Sequence, residues 1–112
     1  MRIASDVLGT LRGHKGNVIF EALTRLIAEG HEVVVWSSDY GLAVAEARNR
    51  GLSVETATGK FSKYEANEQG KPLFDVALED DHMQKRYLAA QRFVMVDEIS
   101  DVETLIKQIK GE

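Results

Sequence analysis

Cysteine is absent from this chain, which removes both a disulfide framework and a thiolate zinc site. That absence fits a reducing, cytoplasmic setting. Long apolar runs are missing as well, so no segment reads as membrane-spanning. The opening residues Met1-Arg2-Ile3-Ala4-Ser5-Asp6 lack the apolar stretch of a signal peptide. Nucleic-acid binders usually carry a basic patch, and none stands out against a net charge of −4. The nearest groups, Arg12-His14-Lys15 and Lys60-Lys63-Lys71, read as solvated loop charge with room for a small anion site. There is no internal repeat, low-complexity segment or interdomain linker, and proline occurs once, at Pro72. With 112 residues, the chain reads as one domain over residues 1–112, long enough to bury a core without staples.

Strand-like and helix-like patterns alternate. Ile3 to Val7 is a short strand candidate. Asn17 can cap a helix with apolar positions Ile19, Ala22, Leu23, Leu26 and Ile27, and Gly30 suits its end. Val33-Val34-Val35-Trp36 is a continuous apolar run, as expected of a central parallel strand covered on both faces. Leu42 to Arg50 is a second helix, with Asp39 near its start and Gly51 past its end. Leu52 to Ala57 alternates and reads as a third strand at an edge. Residues 58–72 read as a polar loop with a helical turn or two around Lys63 to Asn67. Phe74 to Leu78 is a fourth strand, and Asp81 can cap a helix carrying Met83, Tyr87, Leu88 and Ala90. Phe93 to Val96 is a fifth strand. Ser100 and Glu103 form a capping box before a helix striped by Val102, Leu105, Ile106 and Ile109. This order predicts a three-layer, Rossmann-like α/β domain: a mostly parallel five-stranded sheet with helices on both faces.

In such sheets ligands sit at the carboxyl ends of the strands, near a topological switch point. Those ends are polar here: Asp6 after the first strand, Ser37-Ser38-Asp39 after the second, Glu79-Asp80-Asp81 after the fourth and Asp97-Glu98 after the fifth. Capping of the following helices explains Asp39, Asp81 and Asp101. It explains Asp6 poorly, because Gly9, Gly13 and Gly16 make the next segment a loop. Carboxylates converging from strands one and four repel unless a proton or cation lies between them, and such hard oxygen ligands suit Mg²⁺.

Asp6-Val7-Leu8-Gly9-Thr10-Leu11 resembles the first motif of haloacid-dehalogenase-like (HAD-like) hydrolases, Asp-x-Asp-Gly-Thr-Leu. The apolar run ending at Ser37 is similar to the second motif, and Val76-Ala77-Leu78-Glu79-Asp80-Asp81 resembles the fourth, a strand ending in paired acids. The resemblance reaches from residue 2 to about residue 97. It implies a Mg²⁺-dependent phosphohydrolase, a phosphatase, in which Asp6 attacks phosphorus and forms an aspartyl-phosphate. Ser37, with Ser38 beside it, would bind phosphate oxygen. A lysine would supply compensating charge, with Lys63 as the choice and Lys60 and Lys71 as alternatives. The metal would be held by Asp6, the Leu8 backbone carbonyl, Asp80 and Asp81, with Asp97 and Asp101 as runners-up for the last two. Thr10 would orient the loop and Gly9 would allow its close turn.

Leu8 is the departure. The family's phosphatases carry there the Asp that protonates the leaving group and then activates water, and leucine transfers no proton. The resemblance therefore implies a slow phosphatase, one that borrows another acid such as His14 or Asp39, or a catalytically silent module that binds a phosphorylated ligand or a protein. No insertion is long enough for a cap domain. Capless members act on large substrates or use an oligomer partner as a lid, so a phosphorylated small molecule or macromolecule and a homo-oligomer are the implied partners. Two other classes fit less well. Gly9, Gly13 and Gly16 have neither dinucleotide nor Walker spacing, and a phospho-receiver would carry its Asp where Thr56-Ala57-Thr58 stands. His14, His31 and His82 lack metal-ligand spacing, and Trp36 reads as a packing residue.

Overall fold

The computed structural model describes residues 1–59, 70, 72–86 and 90–112. Five strands form one sheet: β1 (Arg2–Asp6), β2 (Glu32–Ser37), β3 (Ala57–Gly59), β4 (Phe74–Glu79) and β5 (Ala90–Met95). Their order is β3-β2-β1-β4-β5 and every pairing is parallel. The α-helices among the described residues are α1 (Gly16–Ala28), α2 (Tyr40–Asn49) and α3 (Val102–Lys110). This is an α/β fold consistent with a Rossmann-like three-layer domain. No helix among the described residues is long and apolar enough to cross a membrane.

Pleating sorts the strand residues into two apolar clusters. Val33 and Val35 pack with Ile3, Val76 and Leu78 against Ile19, Leu23, Ala43, Ala47, Leu105 and Ile109 of the three helices. Val34 and Trp36 belong to a smaller cluster with Ala4, Phe74, Ala77 and Ala90. Neighbouring residues of one strand point to opposite faces, so the two clusters are the two sides of the sheet. Trp36 meets Phe74 edge-to-face with centroids 5.1 Å apart, the packing role expected of it. The chain winds outward from β1 to β2 to β3, then returns to the centre at β4. The switch point therefore lies between the carboxyl ends of β1 and β4.

Several local expectations need correction. Residues 54–56 form a 3₁₀ turn and β3 begins only at Ala57. The Ser53 hydroxyl accepts from the Glu55 amide, and the Thr56 hydroxyl donates to the Ser53 carbonyl. These local bonds compete with strand pairing. Asp81 precedes a 3₁₀ turn, His82–Arg86, and Ala90 is the first residue of β5 rather than a helical position. Helix α1 starts at Gly16, ahead of Asn17. Helix α3 is capped by Asp101, whose carboxylate accepts from the Thr104 amide at 2.7 Å, rather than by a Ser100–Glu103 box. A carboxylate makes the stronger, charge-assisted cap. The expected turn at Lys63 to Asn67 and the positions of Tyr87 and Leu88 lie outside the described residues.

Candidate functional site

Register builds the site. Ser5 of β1 pairs with Leu78 of β4, so Asp6 and Glu79 are the next residues along two adjacent parallel strands. Both are buried, 7% and 1% exposed. Asp80 completes a group in which one carboxylate oxygen from each of Asp6, Glu79 and Asp80 lies within 4.8 Å of the others. These three line a cleft of about 260 Å³ with Ser37, Ser38, Leu8 and Asp81. A slightly larger cavity, about 290 Å³, opens near Arg2 and Glu32 at the other strand ends. Those two side chains already pair at 2.9 Å, and among the described residues the group of three converging carboxylates lies at the switch point and not there.

Three carboxylates this close cannot all carry charge without a counter-ion. Asp80 is the exposed member of the group, and partial desolvation raises its pKa above the ordinary carboxyl value. A hydrogen bond with Asp6 and its negative charge push the same way, while bonding to the Asp80 backbone and to Glu79 acts against them. The pocket thus favours a proton or a cation among the acids. The donor set is three hard carboxylate oxygens, and that chemistry fits Mg²⁺.

The loop after β1 closes over this group. Gly9 has φ +74°, and a Cβ there would overlap the Asp80 carboxylate. Gly9 is therefore required twice, by its left-handed backbone and by its contact with Asp80. Gly9→Ala is expected to destabilise the fold by more than the roughly 1–2 kcal/mol of the backbone term alone, because Asp80 must also move. A thermal melt tests this, and a melting temperature equal to wild type would mean that the loop does not rest on Asp80.

Ser37 is 5% exposed, and its hydroxyl oxygen accepts from the Asp39 amide at 3.1 Å. Its own O–H is left to donate into the cleft. Ser38 is exposed on the same wall. Asp81 reaches the cleft but spends its carboxylate on the Met83 amide at 2.9 Å and on Gln84. It caps the turn and stands outside the three-carboxylate group, where Glu79 takes the place expected of it. Thr10 is fully buried, and its hydroxyl has no hydrogen-bond partner among the described residues. Leu8 projects into the cleft mouth, 61% exposed. Asp39 caps α2 through the Leu42 amide, and His14 lies outside the cleft wall. Asp97 pairs with His82 at 3.1 Å and Asp101 caps α3, so neither runner-up joins the cluster. Lys60, Lys63 and Lys71 all fall outside the described residues.

Glu79 is the member of this acidic group that the sequence reading did not place beside Asp6. The sequence signal was its place at the end of an apolar run, but only the β1–β4 register brings it beside Asp6. No family model, no curated protein and no solved structure matches this chain.

Proposed function

We propose that the chain is a HAD-like, Mg²⁺-dependent phosphohydrolase acting through an aspartyl-phosphate on Asp6. The supporting observation is the convergence of Asp6, Glu79 and Asp80 at the switch point, in the cleft that also holds Ser37. Asp6, Glu79 and Asp80 would hold the metal. When bound, Mg²⁺ supplies positive charge against the carboxylates and the phosphoryl oxygens. A carboxylate oxygen of Asp6 attacks phosphorus as the bond to the leaving oxygen breaks, and water later cleaves the acyl phosphate. The Ser37 O–H donates to a phosphoryl oxygen, and Lys63 is the proposed compensating cation. The ligand is a phosphorylated small molecule or macromolecule. The cysteine-free composition supports a cytoplasmic setting.

Leu8 favours a second reading. An exposed apolar side chain occupies the cleft mouth where the family's general acid would stand. A silent module that binds phosphorylated ligands would look the same. Assaying wild type and Asp6→Asn with acyl and aryl phosphates, with and without Mg²⁺, separates the two. Hydrolysis that needs both Mg²⁺ and Asp6 is the expected result. Inertness towards every ester, with Mg²⁺ binding intact, would leave the binding module.

A further inference from the structure

Among the described residues, one carboxylate is buried outside the cleft: Glu46 of α2, 3% exposed. It accepts from Arg12 Nε at 2.6 Å and from Arg50 Nε at 2.9 Å. Arg50 also donates to the Leu11 carbonyl at 2.7 Å, and its guanidinium lies over the Phe20 ring at 5.1 Å. Glu46 therefore grips the loop between β1 and α1 at two points, the Arg12 side chain and, through Arg50, the Leu11 backbone.

The gripped residues are the ones tied back to the cleft. The Leu11 amide donates to the Asp6 carbonyl at 3.3 Å, and the Arg12 amide to the Val7 carbonyl at 2.8 Å. On the other side Gly9 rests on Asp80. A buried ion pair is a poor way to gain stability alone, since apolar residues of similar volume often do as well. Its directional bonds fix a backbone in one place. Burial works against the charged form of Glu46, but the hydrogen bonds and charges of Arg50 and Arg12 outweigh it and hold the carboxyl below its ordinary range, so the cluster is ionic at neutral pH.

We infer that Glu46 is a positioning residue for the cleft: through Arg12 and Arg50 it fixes the β1–α1 loop and thereby sets Asp6 and Leu8 relative to Asp80. This rests on the cleft being a Mg²⁺ site. Residues that orient metal ligands typically account for about 10–100-fold in metal affinity, and that is the loss expected for Glu46→Gln.

The test titrates Mg²⁺ into wild type, Glu46→Gln, Arg50→Lys and the surface control Arg48→Ala, well below each melting transition. Amide hydrogen exchange is followed in the same proteins. Glu46→Gln should raise the Mg²⁺ Kd by about 10–100-fold and speed exchange at Leu11 and Arg12 while the sheet amides stay protected. Arg50→Lys keeps a positive charge but gives up the paired bonds to Glu46 and Leu11. It should shift both readouts the same way by less, and it decides the matter if Glu46→Gln does not fold. Arg48→Ala should match wild type. A folded Glu46→Gln or Arg50→Lys that binds Mg²⁺ as wild type does overturns the inference, even with a lower melting temperature. If wild type itself binds no Mg²⁺, the phosphohydrolase proposal fails, and the loop amides decide alone: selective acceleration upholds the positioning role and uniform acceleration overturns it.

Discussion

Leu8→Asp should raise turnover of alkyl phosphate monoesters by up to about 10²–10⁴-fold, the usual range for a positioned general acid–base. The new carboxyl would stand at the mouth of the cleft that holds Asp6 and Asp80. An alkoxide leaving group needs a proton as the P–O bond breaks, and leucine supplies none. Acyl and aryl phosphates leave as stabilised anions, so their gain should be much smaller. The difference between the two substrate classes carries the diagnosis, because a general improvement in folding would lift both alike. Leu8→Asp with Asp6→Asn should be inert, since the nucleophile is gone. Equal gains for alkyl and acyl esters would mean that the substitution works by some route other than proton transfer. The added carboxylate joins three others, so a lower melting temperature without Mg²⁺ is expected as well.

Asp80→Asn should have opposite effects with and without Mg²⁺. The folded state raises the Asp80 pKa, chiefly by partial desolvation and then through Asp6, so folding favours the neutral acid. The resulting penalty is absent below the ordinary value of 3.8, grows as pH rises from there towards the raised folded value, and is complete above it. Without Mg²⁺ at pH 7, Asp80→Asn should therefore melt higher than wild type, and the advantage should vanish when the pH falls below 3.8. With Mg²⁺ at a hundredfold excess over Kd, wild type gains roughly 2.7 kcal/mol by mass action. The variant, lacking one ligand, should gain far less. Melting curves at the two pH values, with and without Mg²⁺, read all of this. A variant that melts lower than wild type in metal-free buffer would make Asp80 a structural residue instead.

The parts of the fold legible in the sequence were those where one physical signal dominated. Val33-Val34-Val35-Trp36 read as a strand covered on both sides, and it is the core of β2. Asp39 and Gly51 bracketed α2 because capping is local chemistry. The edges were harder. In β5, Gln91 and Arg92 are exposed while Ala90 is buried, and these two polar residues interrupt the apolar pattern ahead of Phe93. Arg92 is held there by the carbonyls of Gln108 and Ile109 at the end of α3, a tertiary contact that sequence spacing does not reveal.

The site divides in the same way. Asp6 was legible because glycines follow it where a helix should start. The resemblance gave Asp80 and Asp81 the same metal-holding role although Asp81 also read as a cap, and only the structure separates an acid facing Asp6 from one capping a turn. Glu79 needed the register between β1 and β4, which is set by how two whole strands pack. The Glu46 cluster was invisible, since its members lie at positions 12, 46 and 50 with no shared motif.

The central claim is that Asp6 is a phosphorylatable carboxylate beside a Mg²⁺ site. Its most direct test is a crystal structure of the protein grown with Mg²⁺ and beryllium fluoride. The predicted result is beryllium fluoride joined to an Asp6 carboxylate oxygen, Mg²⁺ held by Asp6 with Glu79 or Asp80, and the Ser37 hydroxyl within hydrogen-bond distance of a fluorine. A cleft that binds neither, or a fluoride complex seated away from Asp6, would contradict it.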